Sequence, residues 1–178
     1  MGIPTLIATN TESGDATSSF TSGIDSTYDE YMFVFTDIGP ATDSVTLDFN
    51  GSIDAGSNYN VTKTTTYFIA YHQEDDGGQG LSYQTSYDLA QSTAFQPLTT
   101  PVGNGSDESA AGILHLFSPS STTFVKHFYS RFSSYRANNE LWDVFVAGYF
   151  NDTNDIDAVQ FKMSSGNMDG VIQLYGIA

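Results

Sequence analysis

Cysteine is missing from the 178 residues, so neither disulfides nor thiolate metal sites are open to this chain. Stability has to come from burial, and a single domain of this length can bury roughly 70% of its unfolded-chain surface. Positive charge is scarce: 5 Lys and Arg stand against 21 Asp and Glu, for a formal charge of -16 and a pI near 4.1. A chain so acidic repels phosphate, which argues against nucleic acid and against a membrane as partners. The acidity serves solubility, and self-repulsion of this size makes close packing of copies depend on salt or divalent cations. No apolar run approaches the roughly 20 residues that span a bilayer. The start, MGIPTLIATN, lacks a basic and then apolar leader. These features predict a soluble protein made in a cytoplasm. Neither an internal repeat nor a long linker divides the chain, so one domain is expected.

Aromatics are abundant, with 13 Phe, 11 Tyr and 1 Trp set among Ser, Thr, Gly and Asn, a composition suited to β-sheet. The closing stretch, residues 163–178 (MSSGNMDGVIQLYGIA), alternates Met168, Gly170, Ile172 and Leu174 with Asp169, Val171, Gln173 and Tyr175 after a Gly/Asn turn. Such period-two alternation predicts a strand with two different faces, tied into a sheet.

Earlier segments offer partners. Residues 3–8 form a short apolar run begun by Pro4, and residues 9–19 (TNTESGDATSS) read as a surface loop or as an arm. Residues 28–38 (YDEYMFVFTDI) carry Tyr31, Phe33 and Phe35 on one face and Met32 and Val34 on the other. Apolar residues on both faces predict a strand covered on two sides. After Gly39 and Pro40, residues 43–49 turn Val45, Leu47 and Phe49 inward, and the pair reads as a hairpin or a tight crossover. Further strands are expected at 64–72, 113–117, 122–132, 142–150 and 156–163, with Phe124, Phe128 and Phe132 sharing one face. Residues 86–95 (SYDLAQSTAF) alone have helical character. About eight strands with turn signals between them, and no βαβ rhythm, predict an all-β single-domain antiparallel β-sandwich. It is expected to be jelly-roll-like, with one short helix.

Signals for chemistry are weak. His72, His115 and His127 share no metal-ligand spacing, and His115 in its apolar run reads as a satisfied core or interface histidine. No G-x-S-x-G nucleophile turn is present, so no catalytic residue, cofactor-binding residue or metal ligand is assigned and the protein is expected not to be an enzyme. Residues 74–80 (EDDGGQG) could wrap a Ca²⁺ with their carboxylates, yet lack the ligand alternation of a calcium loop. Asp152, Asn154, Asp155 and Asp157 lack the Gly and Glu of an EF-hand and read as an Asx turn. The sequons at Asn50, Asn60, Asn104 and Asn151 carry no weight in so Ser/Thr-rich a chain. Lys126, Arg131 and Arg136 gather the cationic charge, either to dock a neighbouring subunit's carboxylates or to pair within the chain. Trp142 and Tyr135, if exposed, could stack on sugar rings.

The ordered runs SFTSGIDSTYDEYMFVFTDIGPATD, YFIAYHQEDD, GNGSDESAAGILHLFSPSSTTFVKHFYSR and VAGYFNDTNDIDAVQFKMSSGNMDGVIQLYGI resemble a family of small virion structural proteins of marine tailed bacteriophages. The closing GxIxLYGI is the most characteristic part, and the likeness covers nearly the whole chain from Ser19 onward. The resemblance implies a non-enzymatic virion component, assembled in the host cytoplasm as a homo-oligomer, expected to be a trimer. Its partners would be the major capsid protein or tail proteins. The expected role is decoration of the outer head, with residues 1–19 as an N-terminal arm and 20–178 as the β-sandwich domain. The alternative is a tail, baseplate or fibre component that presents a host-glycan site, although the chain has no repetitive shaft. The resemblance brings no catalytic or metal residue.

Overall fold

The computed structural model describes residues 2–178 and contains twelve strands. In chain order these are β1 (Thr5–Asp15), β2 (Ser18–Phe20), β3 (Glu30–Pro40), β4 (Leu47–Ser52), β5 (Lys63–Gln73), β6 (Gln79–Tyr83), β7 (Gln96–Pro97), β8 (Ala110–Phe117), β9 (Lys126–Arg136), β10 (Glu140–Phe150), β11 (Ala158–Met163) and β12 (Met168–Ile177). They form an antiparallel β-sandwich of an eight-stranded sheet, ordered β1-β12-β3-β8-β9-β10-β5-β6, and a four-stranded sheet, ordered β2-β11-β4-β7. The all-β sandwich read from the alternation is therefore what the chain forms.

Pairing is nested in the jelly-roll manner: β3 with β12, β4 with β11, β5 with β10, and β8 with β9. An even roll would place the innermost pair in the second sheet. Here β8 and β9 insert between β3 and β10, which makes the sheets unequal. The turn after β3 does not close a hairpin, because β4 crosses to the small sheet.

Alternation explains the core. Tyr31, Phe33 and Phe35 of β3, Phe128 and Phe132 of β9, and Ile172 and Leu174 of β12 all point inward and are buried. From the small sheet Phe161 meets Phe33 and Phe35 edge-on, with ring centroids 5.1 and 4.9 Å away. Edge-to-face contacts of this kind add about 0.5–1.5 kcal/mol each beyond burial. Where β12 passes the end of β3, the register shifts between Asp169 and Val171, and Gly170 takes φ 130°. A Cβ there would lie 2.8 Å from the carbonyl oxygen of Asp37, so the bulge depends on glycine.

Three expectations are corrected. Residues 9–19 are not a loop or a free arm: β1 pairs with β12 along its length, and β2 pairs with β11. The polar run escapes period-two detection because the half-buried positions that alternate within it are Asn10 and Glu12, not apolar residues. Residues 86–95 form turns and extended chain, and no helix occurs among the described residues. Their carbonyls go instead to the free edge of β5, where Leu89 O and Ser92 O accept from Thr65 N and Lys63 N. One or two helical turns could not offset the nucleation cost. Phe124 precedes β9 and stays 72% exposed, apart from the buried Phe128 and Phe132.

Loops bury the outer face of the small sheet. Asp48, Asn50 and Ser52 of β4 point away from the core yet are all buried, with Asn50 Nδ2 donating to Tyr59 O at 2.9 Å and to Thr93 O at 3.0 Å. The outer face of the large sheet has no such cover.

Candidate functional site

Eight strands in register make that outer face a broad plate. One row across it reads Tyr83, Phe68, Phe145, Arg131, Ile113, Val34, Gln173 and Thr9. The next holds Tyr129, His115, Met32 and Tyr175. Phe68 and Phe145 stack with centroids 4.7 Å apart and planes 2° apart, and His115 stacks on Tyr129 at 4.8 Å. Phe68 is 41%, Tyr129 44% and Tyr83 51% exposed.

Charge on this plate is sparse and mostly bonded. Arg131 faces Asp143 with two bonds of 2.9 and 2.8 Å and lies 5.0 Å over the ring of Phe145. His115 bonds Glu30 across the β3–β8 pair. The other carboxylates are concentrated in turns: Asp75 accepts from Gly77 N, Asp76 meets His72, and Asp152 caps Asn154 through both its N–H and its side-chain amide. Those last bonds form the Asx turn expected at Asp152. No group of three or more His, Asp or Glu that could hold a metal ion occurs among the described residues.

The cationic trio is not a single docking patch, because the pleat separates its members. Arg131 lies on the outer plate, Lys126 is buried with Nζ donating to Asp152 O at 3.1 Å, and Arg136 turns to the inner face to bond Glu140 at 2.9 Å. Arg131 and Arg136 thus pair with acids of the same chain, while Lys126 reaches a backbone carbonyl instead. Tyr135 and Trp142 are separated likewise: Tyr135 is on the outer face, and Trp142 pairs with Ser134 and Tyr71 on the inner one.

Trp142 belongs to a cluster that the sequence did not reveal as a unit. At the β6 side the inner face of the large sheet runs past the small sheet, and β5, β6, β9 and β10 line an open cleft of about 670 Å³. Glu140 anchors it: Oε1 accepts from Gln73 Nε2 at 2.7 Å, and Oε2 accepts from both Arg136 Nη1 and Trp142 Nε1 at 2.9 Å. The Gln73 bond above all, with help from Trp142 and the Arg136 charge, holds its carboxyl below the ordinary glutamate range. The Arg136 guanidinium lies 4.4 Å over the indole, and Tyr71 is 5.7 Å away on the other strand.

No protein-family model matches the chain, and no curated protein matches it in sequence.

Proposed function

We propose that this chain is a non-enzymatic structural subunit that associates with further copies of itself through the outer plate of its large sheet. Following the resemblance of its ordered runs, it would do so as a component of a tailed-phage virion, decorating the outer head beside the major capsid protein. The observation that carries the reading is the plate itself: apolar, aromatic and sparsely charged on a chain of -16. Monomeric soluble proteins rarely leave a contiguous apolar surface of such breadth uncovered. A second copy suits it because a plate that holds little of the negative charge is where two such acidic chains can meet at least electrostatic cost. β3 supports the same reading, since Met32 and Val34 give it a second apolar face that the single chain leaves half-buried.

Analytical ultracentrifugation of the purified protein tests the association, and its mass reads the copy number against the expected trimer. An oligomer is expected, falling to monomer in Phe145→Glu. A monomer at tens of micromolar, or an oligomer indifferent to Phe145→Glu, removes this interface. Immunogold labelling of intact virions tests the location: gold over the heads is expected, and gold confined to tails would move the protein there.

A further inference from the structure

The cleft around Trp142 lies on the opposite face of the sheet from the proposed association plate, and its chemistry is different. Planar groups crowd it. Tyr71 and Trp142 stand side by side, Arg136 stacks on the indole, and Gln73 and Gln84 supply amides along the wall and rim. Gly80 faces Tyr71 from the edge strand, and a Cβ there would come within 3.2 Å of the Tyr71 ring, so the tyrosine leans over bare backbone. The walls are rigid, since Glu140 is 6% exposed and both its oxygens are bonded. Arg136 spends one of its five N–H donors on Glu140, and Gln84 makes no side-chain hydrogen bond of its own among the described residues.

We propose that this cleft binds a neutral saccharide, with a sugar ring lying against Tyr71 and Trp142 and its hydroxyls bonded by Gln84 and Arg136. Sugar rings offer C–H faces that pack on aromatics, and hydroxyls that both donate and accept in the plane of amide and guanidinium groups. A volume of about 670 Å³ falls in the range of small-molecule sites and admits one or two rings. Electrostatics select a neutral ligand: Arg136 and Glu140 cancel inside the cleft, and the surrounding charge of -16 repels anions. An apolar ligand would leave Gln84 and the guanidinium unpaired.

Trp142 is the only tryptophan in the chain, so its emission reports on this cleft. The purified protein is titrated with glucose, galactose, mannose, N-acetylglucosamine and their short oligomers, with N-acetylneuraminic acid as the anionic comparison. A saturable change in emission is expected with at least one neutral sugar, at about 1–10 mM for a single ring and tighter for oligomers. Gln84→Ala and Tyr71→Ala are each expected to weaken it at least tenfold. Should Tyr71→Ala fail to fold, Arg136→Lys, which keeps the charge beside Glu140 but not the planar fork, takes its place. Absence of a saturable response to every neutral sugar overturns the proposal. So does a stronger response to the anionic sugar, or binding that Gln84→Ala and Arg136→Lys leave unchanged. Because the association plate is on the other face, loss of sugar binding with the oligomer intact, or the reverse, shows which of the two readings has failed.

Discussion

Lys63 and Phe150 face each other across β5 and β10, with the ammonium 5.7 Å from the ring centroid and donating to the carbonyl of Ala94 at 2.6 Å. Lys63 is fully buried, and this burial pulls its pKa from 10.5 down to about 7. Between these values the unfolded chain holds a proton that the folded chain has lost, so stability from this group rises with pH from 7 towards 10.5. Lys63→Met is expected to raise stability at pH 7 by up to about 5 kcal/mol and by much less at pH 10. Urea unfolding of both proteins at the two pH values checks it, and an unchanged midpoint at pH 7 would show that the ammonium is not penalised.

Asp48 carries the opposite slope. Burial raises its pKa from 3.8 to about 6, against the Thr46 hydroxyl bond and the nearby charge of Lys162. Between these values the folded chain keeps a proton that the unfolded chain releases, so this contribution is full below pH 3.8 and is lost as pH rises through about 6. Asp48→Asn is expected to stabilise by up to about 3 kcal/mol at pH 8 and to change little at pH 4. Together the two buried groups cost the fold most between pH 6 and 7. A double variant would remove that dip from the stability profile.

Leu174 is fully buried in the middle of β12, opposite Phe33 on one side and Ala8 on the other. Leu174→Ala is expected to cost about 2–5 kcal/mol, read as the shift in unfolding midpoint. A shift within error would mean that β12 lies outside the cooperative core.

Deleting residues 1–16 takes β1 from β12 and leaves one edge of that ten-residue strand bare. The sandwich is expected to lose more than about 2 kcal/mol, a fall in Tm of at least about 4–8 °C for a chain of this size. A thermal melt checks it, and an unchanged Tm would restore the view of this segment as a detachable arm.

Much of the fold was legible because burial imposes period two on one face. Tyr31, Phe33 and Phe35, Val144 and Val146, and Ile172 and Leu174 each mark a strand and its inward side. Sheet membership was not legible, since the same alternation serves a strand in either layer. β1 escaped notice because Thr, Asn, Glu and Ser suit an edge strand as well as a loop. The Trp142 cleft escaped because Gln73, Gly80, Arg136 and Glu140 meet only through the pairing of β5, β6, β9 and β10. The outer plate did leave a trace: Met32 and Val34 predicted a second covered face for β3, and that face is apolar in the structure.

On the proposed association, carboxylates crowded into turns around a sparsely charged plate would also govern how copies approach. Two molecules arriving edge to edge bring acidic turns together and rebound, while those arriving plate to plate meet little resistance. Orientation is thereby filtered before contact, and dissolved salt sets how strict the filter is. With a screening length of about 10 Å at 0.1 M and about 3 Å at 1 M, concentrated salt would admit encounters that dilute salt rejects. The same acidity that keeps the free subunit apart from its copies would then tune the selectivity of its assembly.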